Sequence, residues 1–238
     1  MEKKKKKLCI IMNGSLRFGN ETIINSIERC KKLFEWAEPD IWLFTWKVED
    51  GREKELEKYC YKLIADEFSP TDEQLDALGI PYCGCLRLWP EHKICRISNY
   101  SCCYGMDYAF NKVIESGEEY EYAFKMRNDL ILEADTTIWQ KVAEEFPDEY
   151  LTADNFWARG NGINDHIGFG KFNVVRAAWT FSLDEFRKDY YDAWNAEGFL
   201  KNKLNKIPCS HRLIDVTKYI IIRTGRIDEN PRSDWVFK

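Results

Sequence analysis

An α/β fold with a mostly parallel central sheet flanked by helices is predicted by three observations near the start of the chain. Leu8-Cys9-Ile10-Ile11-Met12 is a continuous apolar run that stops at Asn13-Gly14-Ser15, as a strand covered on both faces does. Apolar residues then recur at helical spacing (Ile23, Ile24, Ile27, Cys30, Phe34 and Ala37), with Asn20 placed to cap the start and Pro39 ending the segment. Ile41-Trp42-Leu43-Phe44-Thr45-Trp46 is a second buried strand, so strand, helix and strand make a right-handed parallel crossover.

The later elements follow from the same signals. Residues 51–78 are highly charged, with helical spacing at Leu56, Tyr59 and Leu63, a turn at Ser69-Pro70-Thr71-Asp72 and then a short helix, which together read as a covering layer. Residues 79–96, with Pro81, Gly84 and Pro90, read as a long loop beside a ligand. A helix is predicted from about Asn99 to Ser116, ended by Gly117. Tyr122 to Arg127 is a strand, interrupted by Asn128-Asp129, and Leu130-Ile131-Leu132 resumes its apolar character. Residues 135–146 read as helical, Tyr150-Leu151-Thr152 as extended, 158–162 as a flexible loop, and Ile167-Gly168-Phe169-Gly170 as extended again. Ser182-Leu183-Asp184-Glu185 is a capping box, Leu200 and Leu204 mark one more helix, and Tyr219 to Ile222 is a last strand before a polar tail. Without a repeat, low-complexity tract or linker, residues 1–238 read as one domain, with 1–7 as a lysine-rich N-terminal extension.

Composition narrows the function classes. At 238 residues and 45% hydrophobic content the chain can bury a sizeable core, and 32% charged residues without an apolar stretch near eighteen argue against a membrane span. A net charge of −5 spread along the chain argues against nucleic-acid binding. Nine cysteines, an odd count, with no leader before Leu8, fit a reducing, cytoplasmic setting. Cys83, Cys85, Cys95, Cys102 and Cys103 cluster without paired C-x-x-C spacing, so buried or unreactive thiols are expected rather than zinc. Lys3 to Lys7 would support weak peripheral attraction to an anionic membrane, although an N-terminus solubilised ahead of the first strand is the preferred reading.

Three groups of residues carry candidate chemistry. Strand alternation puts Lys125, Arg127 and Asp129 on one face, and Phe124, Met126 and Asn128 on the other. Two cations and a carboxylate at the carboxyl end of a parallel strand suit a diphosphate, with Asp129 on a divalent metal or a sugar hydroxyl. A structural ion pair between Arg127 and Asp129 is the alternative. Gly14, Ser15 and Arg17 lie between the first strand and its helix, where backbone N–H groups and a guanidinium approach a base or phosphates. Gly14 and Gly19 have Walker A spacing, but Asn20-Glu21 stand where Lys and Ser/Thr are needed, which argues against a P-loop kinase and leaves a sulfotransferase-like loop or an ordinary glycine turn with a surface Arg17. Asp165, after a glycine-containing loop, is a candidate general base, His166 a candidate for a metal or a phosphate oxygen, and His211 a weaker metal candidate. Trp89 and Trp157 are candidate stacking surfaces for sugar rings.

In their order, Gly14-Ser15-Leu16-Arg17, Trp42 to Trp46, Lys125-Met126-Arg127-Asn128-Asp129-Leu130 and Asn164 to Gly170 resemble the WavE-like polysaccharide-synthesis glycosyltransferases of bacterial surface-polysaccharide loci and some large viruses. The resemblance spans about residues 8 to 225 and implies a GT-A-like, Rossmann-type sandwich that uses a nucleotide-diphosphate sugar. In GT-A enzymes an Asp-x-Asp motif ending a central strand holds Mn²⁺ or Mg²⁺ against the diphosphate. Here Arg127-Asn128-Asp129 takes that place without the first acid. Either Asp129 binds the metal with a second ligand such as His211, or Lys125 and Arg127 neutralise the leaving group. Asp165 is similar in placement to the catalytic base of inverting members. The implied function is sugar transfer, with UDP the expected nucleotide, to a glycan or other hydroxyl acceptor. A non-catalytic nucleotide- or glycan-binding protein on the same fold, or a sulfotransferase-like transferase, are the alternatives.

Overall fold

The structure, a computed structural model, describes residues 6–16, 19–67, 70–82, 94–133, 136–153, 162–193, 195–214, 218–223 and 226–229. β1 (Lys6–Asn13), α1 (Asn20–Leu33) and β2 (Ala37–Trp46) form the predicted parallel crossover. The α1 cap differs from expectation: Gly19 is the N-cap, while the Asn20 amide donates to Arg52 O at 2.8 Å and Glu55 Oε2 at 2.7 Å. Pro39 lies inside β2, not after a helix. It is tolerated there because β3 (Lys62–Asp66) pairs with β2 only from Trp42 onward, so the missing N–H falls where β2 is still an edge.

Leu63, expected on a helix, is in β3. Residues 52–59 form a 3-10 helix, after which Tyr61 N–H donates to Ile41 O at 2.8 Å and draws the chain onto the sheet edge. α2 (Asp72–Ala77) follows, and α3 (Ile94–Glu115) starts earlier than predicted. β4 (Tyr122–Arg127) returns beside β1, in parallel. The chain turns at Asn128-Asp129, so β5 (Leu130–Glu133) does not prolong β4 but leaves for a second sheet.

α4 (Thr136–Glu145), β6 (Glu149–Thr152), β7 (Ile167–Lys171), α5 (Phe172–Trp179), α6 (Leu183–Asp192), α7 (Ala196–Leu204) and β8 (Ser210–Leu213) complete the main layers. α5 and β8 were not anticipated. β9 (Lys218–Arg223) and β10 (Arg226–Glu229) pair with β5 in the order β10-β9-β5, and β10 occupies what reads in sequence as polar tail.

The main sheet runs β3-β2-β1-β4-β7-β6-β8, with β7 antiparallel to both its neighbours. Alternation along β1 splits the core between the two faces. Leu8, Ile10 and Met12 pack with Ile23, Ile27 and Cys30 of α1, whereas Cys9 and Ile11 pack with Met106, Phe110 and Val113 of α3. From β1 the chain moves first to β2 on one side and later to β4 on the other. The carboxyl ends of β1 and β4 therefore flank a topological switch point, where open α/β sheets leave a crevice.

Lys6 and Lys7 open β1 rather than extending free: Lys6 pairs with Glu121 and Glu144, and Lys7 with Glu118. Among the described residues no helix is long and apolar enough to cross a membrane. Cys9, Cys30, Cys60, Cys102, Cys103 and Cys209 are free thiols, while Cys83, Cys85 and the side chain of Cys95 lie outside what the structure describes.

Candidate active site at the β1 and β4 ends

Register sets Asn13 opposite Arg127 at the ends of the two parallel strands. Past this point Asn128 N–H donates to Asn13 O at 3.1 Å, and the buried Asn128 amide donates to Gly14 O at 2.8 Å. A Cβ on Gly14 would run into that amide, so glycine lets the two strand ends close. Gly105 does the same for α3: a Cβ there would lie 2.8 Å from Asn13 Oδ1, and the close approach lets Asn13 Nδ2 donate to Cys102 O at 2.7 Å.

The crevice encloses about 410 Å³. Its base is Asn13, Gly14 and Ser15 from β1 and Arg127, Asn128 and Asp129 from β4. Trp46 at the end of β2 and one face of α3, including Ser98, Ser101 and Cys102, complete the wall.

Arg127 and Asp129 form a bidentate pair, Nε to Oδ1 at 2.7 Å and Nη2 to Oδ2 at 2.5 Å. Burial opposes both charges, but mutual pairing outweighs it, raising the Arg127 pKa and lowering that of Asp129. Nη1 lies outside this pair and Arg127 remains partly exposed at the crevice.

The segment before β7 docks beside this pair. Arg127 N–H donates to His166 O at 3.2 Å, and Asn164 Oδ1 accepts from His166 N–H at 2.8 Å. Asp165 Oδ1 is buried without a hydrogen-bond partner, 3.6 Å from His166 Nε2. Burial pushes the His166 pKa down to about 4 against the opposing pull of Asp165, so the imidazole is neutral at pH 7. Glu197 approaches in the first turn of α7. Ile163 N–H donates to its carbonyl at 3.0 Å, and a Cβ on Gly162 would crowd its Cβ at 2.5 Å. Burial, then the charge of Asp165, pushes the Glu197 pKa up to about 8. The Cys102 thiol, raised chiefly by burial, feels Lys125, Asp165, Arg127 and Asp129, so these charges converge on one region.

The sequence-predicted residues divide as follows. Gly14, Ser15, Arg127, Asn128 and Asp129 share the crevice wall, and Asp165 lies among the charges beside it. Lys125 is fully buried away from the crevice wall, its ammonium donating to Asp165 O and lying 4.2 Å from the Trp179 ring centroid. His211 is not beside Asp129. It lies on β8, paired with Tyr150 of β6, three strands from β4, or about 14 Å across the sheet. Arg17, Trp89 and Trp157 lie outside the described residues. Trp46, Ser98, Ser101 and Glu197 were missed. Trp46 alone carried a signal, as an aromatic ending a strand at a predicted ligand-binding edge.

A divalent cation does not fit this donor set. Both oxygens of Asp129 are held by a guanidinium, His211 is remote, and no group of three or more metal-ligating side chains occurs among the described residues.

No family model matches the chain, and no curated protein does. Among solved structures it is similar to core-mannan synthase A from Aspergillus fumigatus in its Mn/GDP form, with TM-score 0.51 and 9% identity over 91% of this chain and 74% of that one. The galactosyltransferase LgtC with donor and acceptor sugar analogues gives TM-score 0.46 and 11% identity over 86% and 72%. The glycosyltransferase GlyE of Streptococcus pneumoniae gives 0.45 and 12%, with 88% of this chain covering 45% of that one. The likeness to core-mannan synthase A is one of fold, and the seven-stranded sheet between helical layers is accordingly of the GT-A type.

Proposed function

We propose that the protein is an inverting glycosyltransferase of the WavE-like kind, moving a sugar from a nucleotide-diphosphate donor, UDP-linked in this reading, to a hydroxyl of a glycan or similar acceptor. The observation that carries the proposal is the polar crevice at the switch point of a GT-A-type sheet, bounded by the Gly14-Ser15 turn and the Arg127–Asp129 pair. Arg127 Nη1 takes the phosphates, which lie beside the Gly14-Ser15 turn.

The acceptor oxygen attacks the anomeric carbon and gives its proton to Asp165. The bond from that carbon to the phosphate oxygen breaks, and the nucleoside diphosphate leaves with the electron pair, its charge met by Arg127. Glu197 holds its proton at neutral pH, which keeps the two neighbouring carboxyl groups from both being charged. Lys125 holds the Asp165 backbone in place instead of meeting phosphate directly.

Calorimetric titration of UDP, GDP and their sugars, with and without Mn²⁺, tests the reading. UDP or its sugar is expected to bind without metal and to weaken at least tenfold in Arg127→Ala, the loss of one charge-assisted contact. Asp165→Asn should keep donor binding and lose turnover. Binding only with Mn²⁺ would overturn the role given to Arg127, and no binding of any nucleotide would overturn the transferase reading. The bidentate tie on Asp129 also favours a second reading, a non-catalytic nucleotide-binding protein, for which binding without transfer or hydrolysis would speak.

A further inference from the structure

Trp46 is a half-buried residue of the crevice wall whose indole is braced by packed rings. Tyr104 stacks on it at 5.9 Å and 14°, and Phe44 meets it edge-on at 5.1 Å. Tyr104 is itself held: it stacks on Tyr108 at 5.8 Å and on Tyr100 at 6.0 Å, and its hydroxyl donates to Asp66 Oδ2 at 2.9 Å. An aromatic plane braced in this way loses little freedom when a second planar group settles on it.

Position says which planar group. The strand order β2-β1-β4 puts Trp46 two spacings across from Arg127 and, because Phe44 is the residue in register with Asn13 and Arg127, two residues further along, roughly 12 Å in all, the order of the distance from base to phosphates in a nucleoside diphosphate. Asp165 lies on the opposite flank of β4, just before β7, so the reacting sugar and its acceptor belong at that end and not against Trp46. Ser98 and Ser101 on α3 also line the crevice, residues whose hydroxyls can serve the edge of a heterocycle.

We infer that Trp46 is the base platform of the donor site, stacking on the nucleobase of a nucleoside diphosphate whose phosphates reach toward Gly14, Ser15 and Arg127. This rests on the nucleotide-sugar reading of the crevice. Calorimetry with UDP, GDP and inorganic pyrophosphate on wild type, Trp46→Phe and Trp46→Ala tests it. Trp46→Ala should weaken the nucleotides about 5- to 100-fold and leave pyrophosphate within about twofold, with Trp46→Phe recovering most of the loss. Equal losses for nucleotide and pyrophosphate, or unchanged nucleotide binding in Trp46→Ala, would overturn the platform alone. A wild type that binds none of the three would overturn the reading of the crevice, and the platform with it.

Discussion

Gly14→Ala probes the junction on which the site depends. The new methyl group would overlap the Asn128 side-chain oxygen and lie 2.8 Å from its Cγ and 3.2 Å from its Nδ2, so the whole amide must move. Asn128 is 2% exposed and its amide donates to Gly14 O at 2.8 Å, so displacement breaks a buried hydrogen bond. Overpacking costs about 1–3 kcal/mol, and a buried polar group left unpaired about 1–3 more, giving an expected loss of roughly 2–6 kcal/mol. Equilibrium unfolding in urea measures it. Gly19→Ser is the control, since a Cβ at Gly19 meets nothing within 4 Å and a serine suits an N-cap, so stability should stay within about 0.5 kcal/mol. The two residues should also couple. Asn128→Ala makes room for the methyl, so adding Gly14→Ala to it should cost at least about 1 kcal/mol less than Gly14→Ala costs alone. A Gly14→Ala protein within about 0.5 kcal/mol of wild type, or strictly additive losses, would refute the close approach of the strand ends.

Two further outcomes follow from the charges. In a double-mutant cycle on Arg127→Ala and Asp129→Ala, the pair should show about 1–2 kcal/mol of coupling, below the value for a fully buried pair because Arg127 is 30% exposed, and a coupling near zero would refute the bidentate geometry. Glu197 and His166 give opposite pH dependences. The raised Glu197 pKa means the folded state holds an extra proton between about 4.5 and 8, so stability falls as pH rises through that window. The depressed His166 pKa means the folded state holds one fewer between 6.5 and about 4, so stability falls as pH drops there. The two slopes offset each other where the windows overlap. Above pH 6.5 Glu197 acts alone, and wild type should lose about 2 kcal/mol by pH 8 that Glu197→Gln does not lose. A wild-type profile flat from pH 6.5 to 8 would refute the assignment.

The opening of the fold was legible because β1 and β2 are buried on both faces and read as unbroken apolar runs. Pieces beyond the central strands were harder to read. β3 is an edge strand with one buried residue, Ile64, and its charged sequence lacks both helical and strand periodicity. α5 does carry a signal, with Val175, Ala178 and Trp179 at spacings of three and four, but at eight residues it hides behind the glycine-punctuated β7. The site divides for a different reason. Gly14, Arg127 and Asp129 could be named because strand ends at a switch point need only order and alternation to be found. Glu197 could not, since its raised pKa comes from burial and from Asp165, thirty-two residues away in sequence, and an acid in a helix's first turn normally looks like a favourable partner of the helix dipole.

Arg127-Asn128-Asp129 marks the limit of what pattern can decide. Strand alternation sends residues two apart to the same face, which serves an ion pair and a shared ligand equally well, so spacing alone leaves the two readings level. Geometry separates them: Nε and Nη2 grip both oxygens of Asp129, and Nη1 is left over. Two acids at these positions would repel each other and call for a cation, whereas an arginine and an acid bring the positive charge within the chain. The replacement that looks like loss of a metal-binding motif is therefore compatible with keeping the electrostatic task it serves. Such an arrangement predicts nucleotide binding that weakens with added salt and is indifferent to chelators, because a fixed guanidinium is screened by ions but cannot be removed by them.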